Sequence, residues 1–75
     1  MMSIDQIRHA MHQQPFLPFT VHTAGGQSFL VKHPDFIATS PTGRMITVWD
    51  DAGHHILDVG LVTQISGLHA PAGAQ

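Results

Sequence analysis

The chain has 75 residues, of which 43% are hydrophobic and only 11% are charged, and its formal net charge is −2. It has no cysteine, which excludes disulfides and thiolate metal sites. No apolar run approaches the about 20 residues of a membrane span, and three dispersed basic residues do not make the basic patch typical of nucleic-acid-binding domains. A chain this short forms one marginally stable domain, and its sparse surface charge favours self-association.

The first predicted element is a helix from about residue 4 to 14. Ser3 suits the N-cap position, and Gln6 three residues later completes a capping box. Pro15 ends the pattern, since the residue before a proline is pushed out of helical geometry. The apolar residues at helical spacing are Ile4, Ile7 and Met11.

Short strands with tight turns are predicted after an extended PFLPF connector, whose candidate anchors are Phe16, Leu17 and Phe19. The strand-like runs are FTVHT, SFLVK, FIATS, MITVWD and HHILDV, with LVTQI as a short additional candidate. The predicted fold is mainly β (α+β), with an N-terminal helix and a strongly bent antiparallel sheet or barrel of about five strands over residues 19–66. One domain is expected over residues 1–69, with a flexible tail at 70–75.

The stretch VKHPDF, residues 31–36, stands between two predicted strands. Pro34 cannot donate a ladder hydrogen bond, so we expect it at a bend or break in one long strand path. Asp35 is expected to cap the local backbone, and His33 to bond a neighbouring carbonyl. The alternative is a surface recognition site formed by Lys32, His33 and Asp35.

The sequence from about residue 13 to 66 resembles a group of short, uncharacterised bacterial proteins. The shared features are a PF-x-PF start, a glycine hairpin, a basic residue followed by HPDF or HPEF, and a closing LVT-x-I segment. The hairpin tip AGGQ departs from the Asp-Gly-Arg type of turn more common in that group. The resemblance implies a shared fold and transfers no chemistry.

An architectural resemblance points to the SH3/Sm-like fold of bacterial RNA chaperones. It rests on the short helix, the bent five-stranded sheet and the tight turn before the last strand, with HHILDVGLVTQI in the place of the closing strands. Sm-like proteins form rings by edge-to-edge strand pairing, so the resemblance implies oligomerisation. The chain has no lysine- or arginine-rich motif matching the RNA-binding motif of that family.

Trp49, the sole tryptophan, is the main candidate interface residue. Alternation along MITVWD places Ile46 and Val48 on one face, with Met45, Thr47 and Trp49 on the other. Trp49 is either a core residue or an interface anchor, a role for which tryptophan is enriched. His54 and His55 begin the next strand, so their rings diverge, and they complete the predicted interface set.

The remaining histidines and carboxylates give little support for a catalytic or metal site. Asp5, His9 and His12 share one helix face, which would suit a metal, but a solvated face with local ion pairs is the favoured interpretation. Asp50 and Asp51 precede a glycine and are typical of a turn. His22 faces outward without a special role. A barrel of this size also leaves little room for a ligand pocket, so neither catalysis nor a cofactor is expected.

The sequence therefore predicts a small cytoplasmic, non-catalytic module that self-associates or binds a protein partner. The alternative is an Sm-like RNA-binding protein with Lys32, His33 and Arg44 as contacts. The interaction module would use Met45, Trp49, His54 and His55 as its interface. The RNA-binding protein would show a salt-dependent affinity for RNA.

Overall fold

The computed structural model describes residues 3–67, so the predicted tail at 70–75 and both ends of the predicted 1–69 domain lie outside the described residues. Within them the fold is a small α+β structure dominated by strands, which confirms the predicted class. In chain order, the elements are helix α1 (Ile4–Met11), β1 (Phe19–Thr23), β2 (Ser28–Val31), a 3₁₀ turn (Pro34–Phe36), β3 (Ile37–Thr39), β4 (Met45–Asp50), β5 (Gly53–Asp58), a second 3₁₀ turn (Val59–Leu61) and β6 (Val62–Gly67).

Helix α1 begins as predicted and ends three residues earlier than predicted. The Ser3 hydroxyl accepts the Gln6 N–H at 3.4 Å, and the Gln6 side chain accepts the Ser3 N–H at 3.2 Å, which completes the capping box. His12 already has non-helical backbone angles. Pro15 lacks the N–H that would bond the Met11 carbonyl, so a further turn over residues 12–14 would have little support.

Six strands form two three-stranded antiparallel sheets, with strand orders β2-β1-β6 and β3-β4-β5. No strand ladder joins the two sheets within residues 3–67, so the predicted barrel is not closed. The first 3₁₀ turn, with Pro34 at its start, interrupts the path between β2 and β3 and carries the chain from one sheet to the other. The second 3₁₀ turn does the same between β5 and β6. Pro34 is therefore a device of the fold, as predicted.

The core lies between the inner faces of the two sheets and the apolar stripe of the helix. Phe16 packs on it with its ring centroid 5.9 Å from that of Phe19, so both act as the predicted anchors. The buried apolar residues are Ile7, Ala10, Phe19, Val21, Val31, Ile37, Ile46, Val48, Val59 and Val62. The inward positions of each strand alternate with outward ones, so each sheet also presents an outer face to solvent.

Gly43, in the turn between β3 and β4, is required by both its backbone angle and its neighbour. Its φ is +74°, and a Cβ built there would lie 3.1 Å from Cγ2 of Ile4 on the helix. Gly26 also has a positive φ of +84°, but a Cβ there meets nothing within 4 Å. An alanine at Gly26 would therefore introduce backbone strain alone, and an alanine at Gly43 would add a steric contact with the helix.

We expect G43A to lower the free energy of unfolding by about 2 kcal/mol, and G26A by about 1 kcal/mol, because both strain the backbone but only the first also displaces Ile4. Urea unfolding of the two variants beside the wild type measures the difference. Equal losses would show that the contact between Gly43 and the helix has no energetic weight.

Candidate interaction surface

The outer face of the second sheet carries the most exposed apolar residues of any sheet face in residues 3–67. We call it the β4 face, because β4 is its central strand. Along β4 the inward residues Ile46 and Val48 are fully buried, while Met45 and Trp49 are 36% and 41% exposed. Strand register places the outward residues side by side. The β4 face consists of Ala38, Met45, Thr47, Trp49, His54, Ile56 and Asp58.

Trp49 is therefore a surface residue, and the alternative that placed it in the core is wrong. Its exposure follows from the alternation of MITVWD, because Val48 is taken by the core and Trp49 must point away from it. Ile56 is the most exposed large apolar residue in the described chain, at 62%, and was missed in the sequence. Alternation from His54 was the available signal, since it places both residues on one face.

Charged groups are scarce on the β4 face. It carries no lysine or arginine, and its ionisable residues are His54 at one end of β5 and Asp58 at the other. Oδ1 of Asp58 accepts the Gly60 N–H at 2.7 Å, which caps the second 3₁₀ turn. Apolar side chains over most of a face, with few charged groups and those near its ends, are typical of a protein interface.

The two predicted interface histidines lie on opposite faces of the sheet. His54 is exposed beside Trp49, whereas His55 turns inward, where its ring packs at a tilt against that of Phe29, with the ring centroids 4.8 Å apart. Nε2 of His55 donates to Oδ2 of Asp50 at 2.8 Å. His55 therefore belongs to the edge of the core and not to the β4 face, which corrects its place in the predicted interface set.

The hydrogen bond from His55 holds the pKa of the Asp50 carboxyl below its ordinary value, helped by the N–H groups of Ala52 and Gly53 and opposed by partial desolvation. Oδ1 of Asp50 also accepts the Ala52 N–H at 2.9 Å, which confirms the predicted turn role of this aspartate. No third residue that could act as a nucleophile contacts this pair in the described chain.

A carboxyl whose pKa is lower in the folded state stabilises the fold above its unfolded pKa of about 3.9, and this stabilisation is lost as the pH falls through the folded pKa. We therefore expect the melting temperature of the wild type to fall between about pH 5 and pH 3 more steeply than that of D50N. D51N, which changes the adjacent turn carboxylate, is the matched control. Parallel pH profiles for D50N and the wild type would contradict a stabilising role for the pair.

The residues predicted to form a binding site are only partly brought together. Lys32 and Trp49 line one shallow groove of about 150 Å³ with Leu30 and Phe36, at the end of the β4 face. Arg44 lies at the other end of β4, next to Met45 and Asp58. Lys32 and Arg44 thus do not share a groove, and the 150 Å³ space is smaller than the about 300 Å³ of typical small-molecule sites.

His33 caps the turn in place of Asp35, so the two residues have roles other than those predicted. Nδ1 of His33 accepts the Asp35 N–H at 3.2 Å, so the histidine caps the turn, and it donates to no carbonyl among residues 3–67. The Asp35 carboxylate lies 3.6 Å from the same nitrogen and stays exposed. The His33 ring also packs against Phe36 at 5.9 Å. These contacts explain both residues by the local fold.

His22 has a structural role that the sequence did not predict. Its Nδ1 hydrogen-bonds Oγ of Ser28 at 3.0 Å, and its Nε2 hydrogen-bonds Oγ of Ser66 at 2.8 Å. The ring thus links the three strands of the first sheet on its outer face. Serines distant in sequence gave no local signal for this arrangement.

The helix residues considered for metal binding do not assemble into a site. Asp5 pairs with Arg8 at 4.0 Å, and His12 lies beyond the helix end. Among residues 3–67, no group of three or more histidines or carboxylates is placed to hold a metal ion. Asp5 and His9 instead border an open, mainly apolar groove of about 470 Å³ beside Phe19 and Ile65, so the expectation that the fold leaves little room for a pocket is wrong.

Comparison with protein-family models, curated proteins and solved structures found no match to this chain. The one helix of the described part, α1, is too short to cross a membrane. The inference of function therefore rests on the geometry of the β4 face and its surroundings.

Proposed function

We propose that this protein is a small, non-catalytic interaction module that associates with a second copy of itself through the β4 face. One observation supports this most: Met45, Trp49 and Ile56 are exposed together on a sheet face without lysine or arginine. Soluble domains rarely leave such apolar residues grouped on one surface without a partner. Trp49 is the expected anchor, because tryptophan contributes more than most residues to interface energy.

The proposal includes an SH3/Sm-like classification of the fold. The supporting features are the strand order and the bend at Pro34, since β2 and β3 together count as one bent strand and reduce the six strands to five. The 3₁₀ turn before β6 matches the tight turn expected before the closing strand. The classification would imply a fold and a mode of assembly, while the function is argued from the residues of the surface.

Light scattering after size exclusion, at several loading concentrations and at low and high salt, tests the proposal. We expect a mass that rises from 8.1 kDa toward twice that value as the concentration increases. A mass that stays at 8.1 kDa up to millimolar concentration would reject self-association. A closed ring of five to seven subunits would instead support assembly through strand edges, as in Sm-like proteins.

RNA binding is the second candidate function. The observation in its favour is the groove in which Lys32 lies with the exposed rings of Phe36 and Trp49, because a cation beside aromatic rings suits stacked bases. Arg44 is at the far end of β4, and the net charge is −2. Titration with a single-stranded RNA at about 50 and 200 mM salt distinguishes the two functions. An RNA-binding protein should bind with an affinity that falls steeply as the salt concentration rises. A protein that only self-associates should show no affinity for the RNA.

A further inference from the structure

The outward residues of β4 and β5 form rows with a regular pattern. Antiparallel register pairs them directly across the two strands. The rows are Met45 with Asp58, Thr47 with Ile56, and Trp49 with His54. The row of Thr47 and Ile56 is central, and the two outer rows each hold one large apolar residue on β4 and one ionisable residue on β5.

Two copies of this face can pack on a two-fold axis in two ways, with the strands of the two β4 elements either parallel or antiparallel. In the parallel arrangement each residue of β4 lies over its own counterpart, so Trp49 meets Trp49 and Met45 meets Met45. In the antiparallel arrangement Trp49 lies over the partner's Met45, and Thr47 and Ile56 lie over their own counterparts. Aromatic rings and methionine sulfur make favourable contacts.

The charges distinguish the two arrangements. One end of the second sheet has Arg44 beside β4 and Asp58 on β5. The other end has His54, the turn aspartate Asp51 and, in the groove beside Trp49, Lys32. Parallel packing superimposes like charges, with Arg44 near its own counterpart and Asp51 near its own. Antiparallel packing instead brings His54 to the partner's Asp58 and Arg44 to the partner's Asp51, so opposite charges meet at both ends.

We infer that the protein forms an antiparallel, face-to-face homodimer in which Trp49 packs on the partner's Met45 and His54 pairs with the partner's Asp58. This inference rests on the proposed self-association and adds its geometry. Across the strand pair His54 lies beside Trp49. The charged groups that share a groove with Trp49 are Lys32, Asp50 and Asp51, of which Asp50 is held by His55 on the inner side. Arg44 is the ionisable group near Asp58.

The area of the β4 face limits the expected affinity of the dimer. Three strands spaced about 4.8 Å apart, with at most six residues each at about 3.3 Å, give a footprint below the about 800 Å² per partner of a standard interface. We therefore expect a dimer that dissociates in the micromolar range or above, sensitive to the ion pairs at its ends, of which each kind occurs twice. Each pair changes the dissociation constant by up to about fivefold.

A charge-exchange experiment tests the geometry. H54D places an aspartate against the partner's Asp58, and D58K places a lysine against the partner's His54, so each variant alone should dimerise at least about threefold more weakly than the wild type. An equimolar mixture of the two should recover the wild-type affinity as a heterodimer, because opposite charges then meet at both ends. Sedimentation velocity of each variant and of the mixture measures this.

Because D58K removes the cap on Gly60, the melting curve of each variant is recorded first. The second pair, R44E with D51K, changes exposed turn residues on the same principle and replaces the first if D58K fails to fold. Recovery in either mixture supports the antiparallel dimer. The antiparallel arrangement is overturned if the wild type dimerises and W49A weakens the dimer, but neither mixture of variants recovers the wild-type affinity. The assignment of the interface to the β4 face would then still hold. A monomeric wild type rejects the proposed function itself.

H54Q gives an independent readout. It replaces the imidazole that faces the partner's Asp58 and keeps the apolar contacts, so the dimer should weaken by about threefold or more. An unchanged dissociation constant in H54Q would contradict the pairing of His54 with Asp58.

Discussion

Replacing Trp49 by alanine is expected to raise the dissociation constant of the dimer by about thirtyfold or more. Truncating an interface tryptophan commonly costs about 2 kcal/mol or more, which corresponds to about thirtyfold. Because a two-fold interface contains the side chain twice, thirtyfold is the lower bound of the expected change. The fold should survive, because the ring is 41% exposed and makes no part of the buried core. Sedimentation equilibrium over a range of concentrations measures the effect.

Two companion variants make the result specific to the β4 face. W49F keeps an aromatic ring at the same position and should recover most of the affinity. Q64A changes an exposed residue on β6, on the outer face of the first sheet, and should leave association unchanged. Equal dissociation constants for W49A and the wild type would show that the protein associates through another surface.

I46A is expected to lower the free energy of unfolding by about 3 kcal/mol. Deleting most of a buried isoleucine removes its transfer energy and leaves a cavity, which together cost about 2–5 kcal/mol. Ile46 is 1% exposed on the central strand of the second sheet and lies in the single core of the described chain. A loss of this size is a large part of the stability of a domain of 75 residues. Urea unfolding measures it.

I56A is the matched control, because it deletes the same atoms from the opposite face of the same sheet. Ile56 is 62% exposed, and we expect a stability change within about 0.5 kcal/mol in dilute solution. The effects on dimerisation should be reversed. I56A should weaken the dimer, whereas the folded fraction of I46A should still dimerise. Similar stability losses for both variants would contradict the assignment of inner and outer faces.

The helix start and the strands were the parts of the fold that local pattern could predict. The capping box of Ser3 and Gln6 and the alternation of FTVHT and MITVWD are local signals, and the structure confirms them. Pro34 was correctly expected to break a strand path. The arrangement of the strands in two separate sheets was not predicted, because barrel closure depends on ladders between residues far apart in sequence.

The candidate site was predictable to the extent that it follows from alternation. Met45 and Trp49 were correctly placed together on the face opposite Ile46 and Val48. The sequence left open which of the two faces is covered, because that depends on where the helix packs. Here Ile7 and Ala10 of the helix join the common core, and the β4 face stays open. The separation of Lys32 from Arg44 and the inward turn of His55 against Phe29 likewise depend on tertiary packing.

The fluorescence of Trp49 at increasing protein concentration tests the central claim most directly, because this is the sole tryptophan of the chain and the proposed anchor of the dimer. We expect the emission to shift to shorter wavelength, and quenching by acrylamide to weaken, over the same concentration range in which the mass rises from 8.1 kDa toward twice that value. A rising mass with unchanged emission and quenching would show that the subunits meet elsewhere and would contradict the assignment of the β4 face.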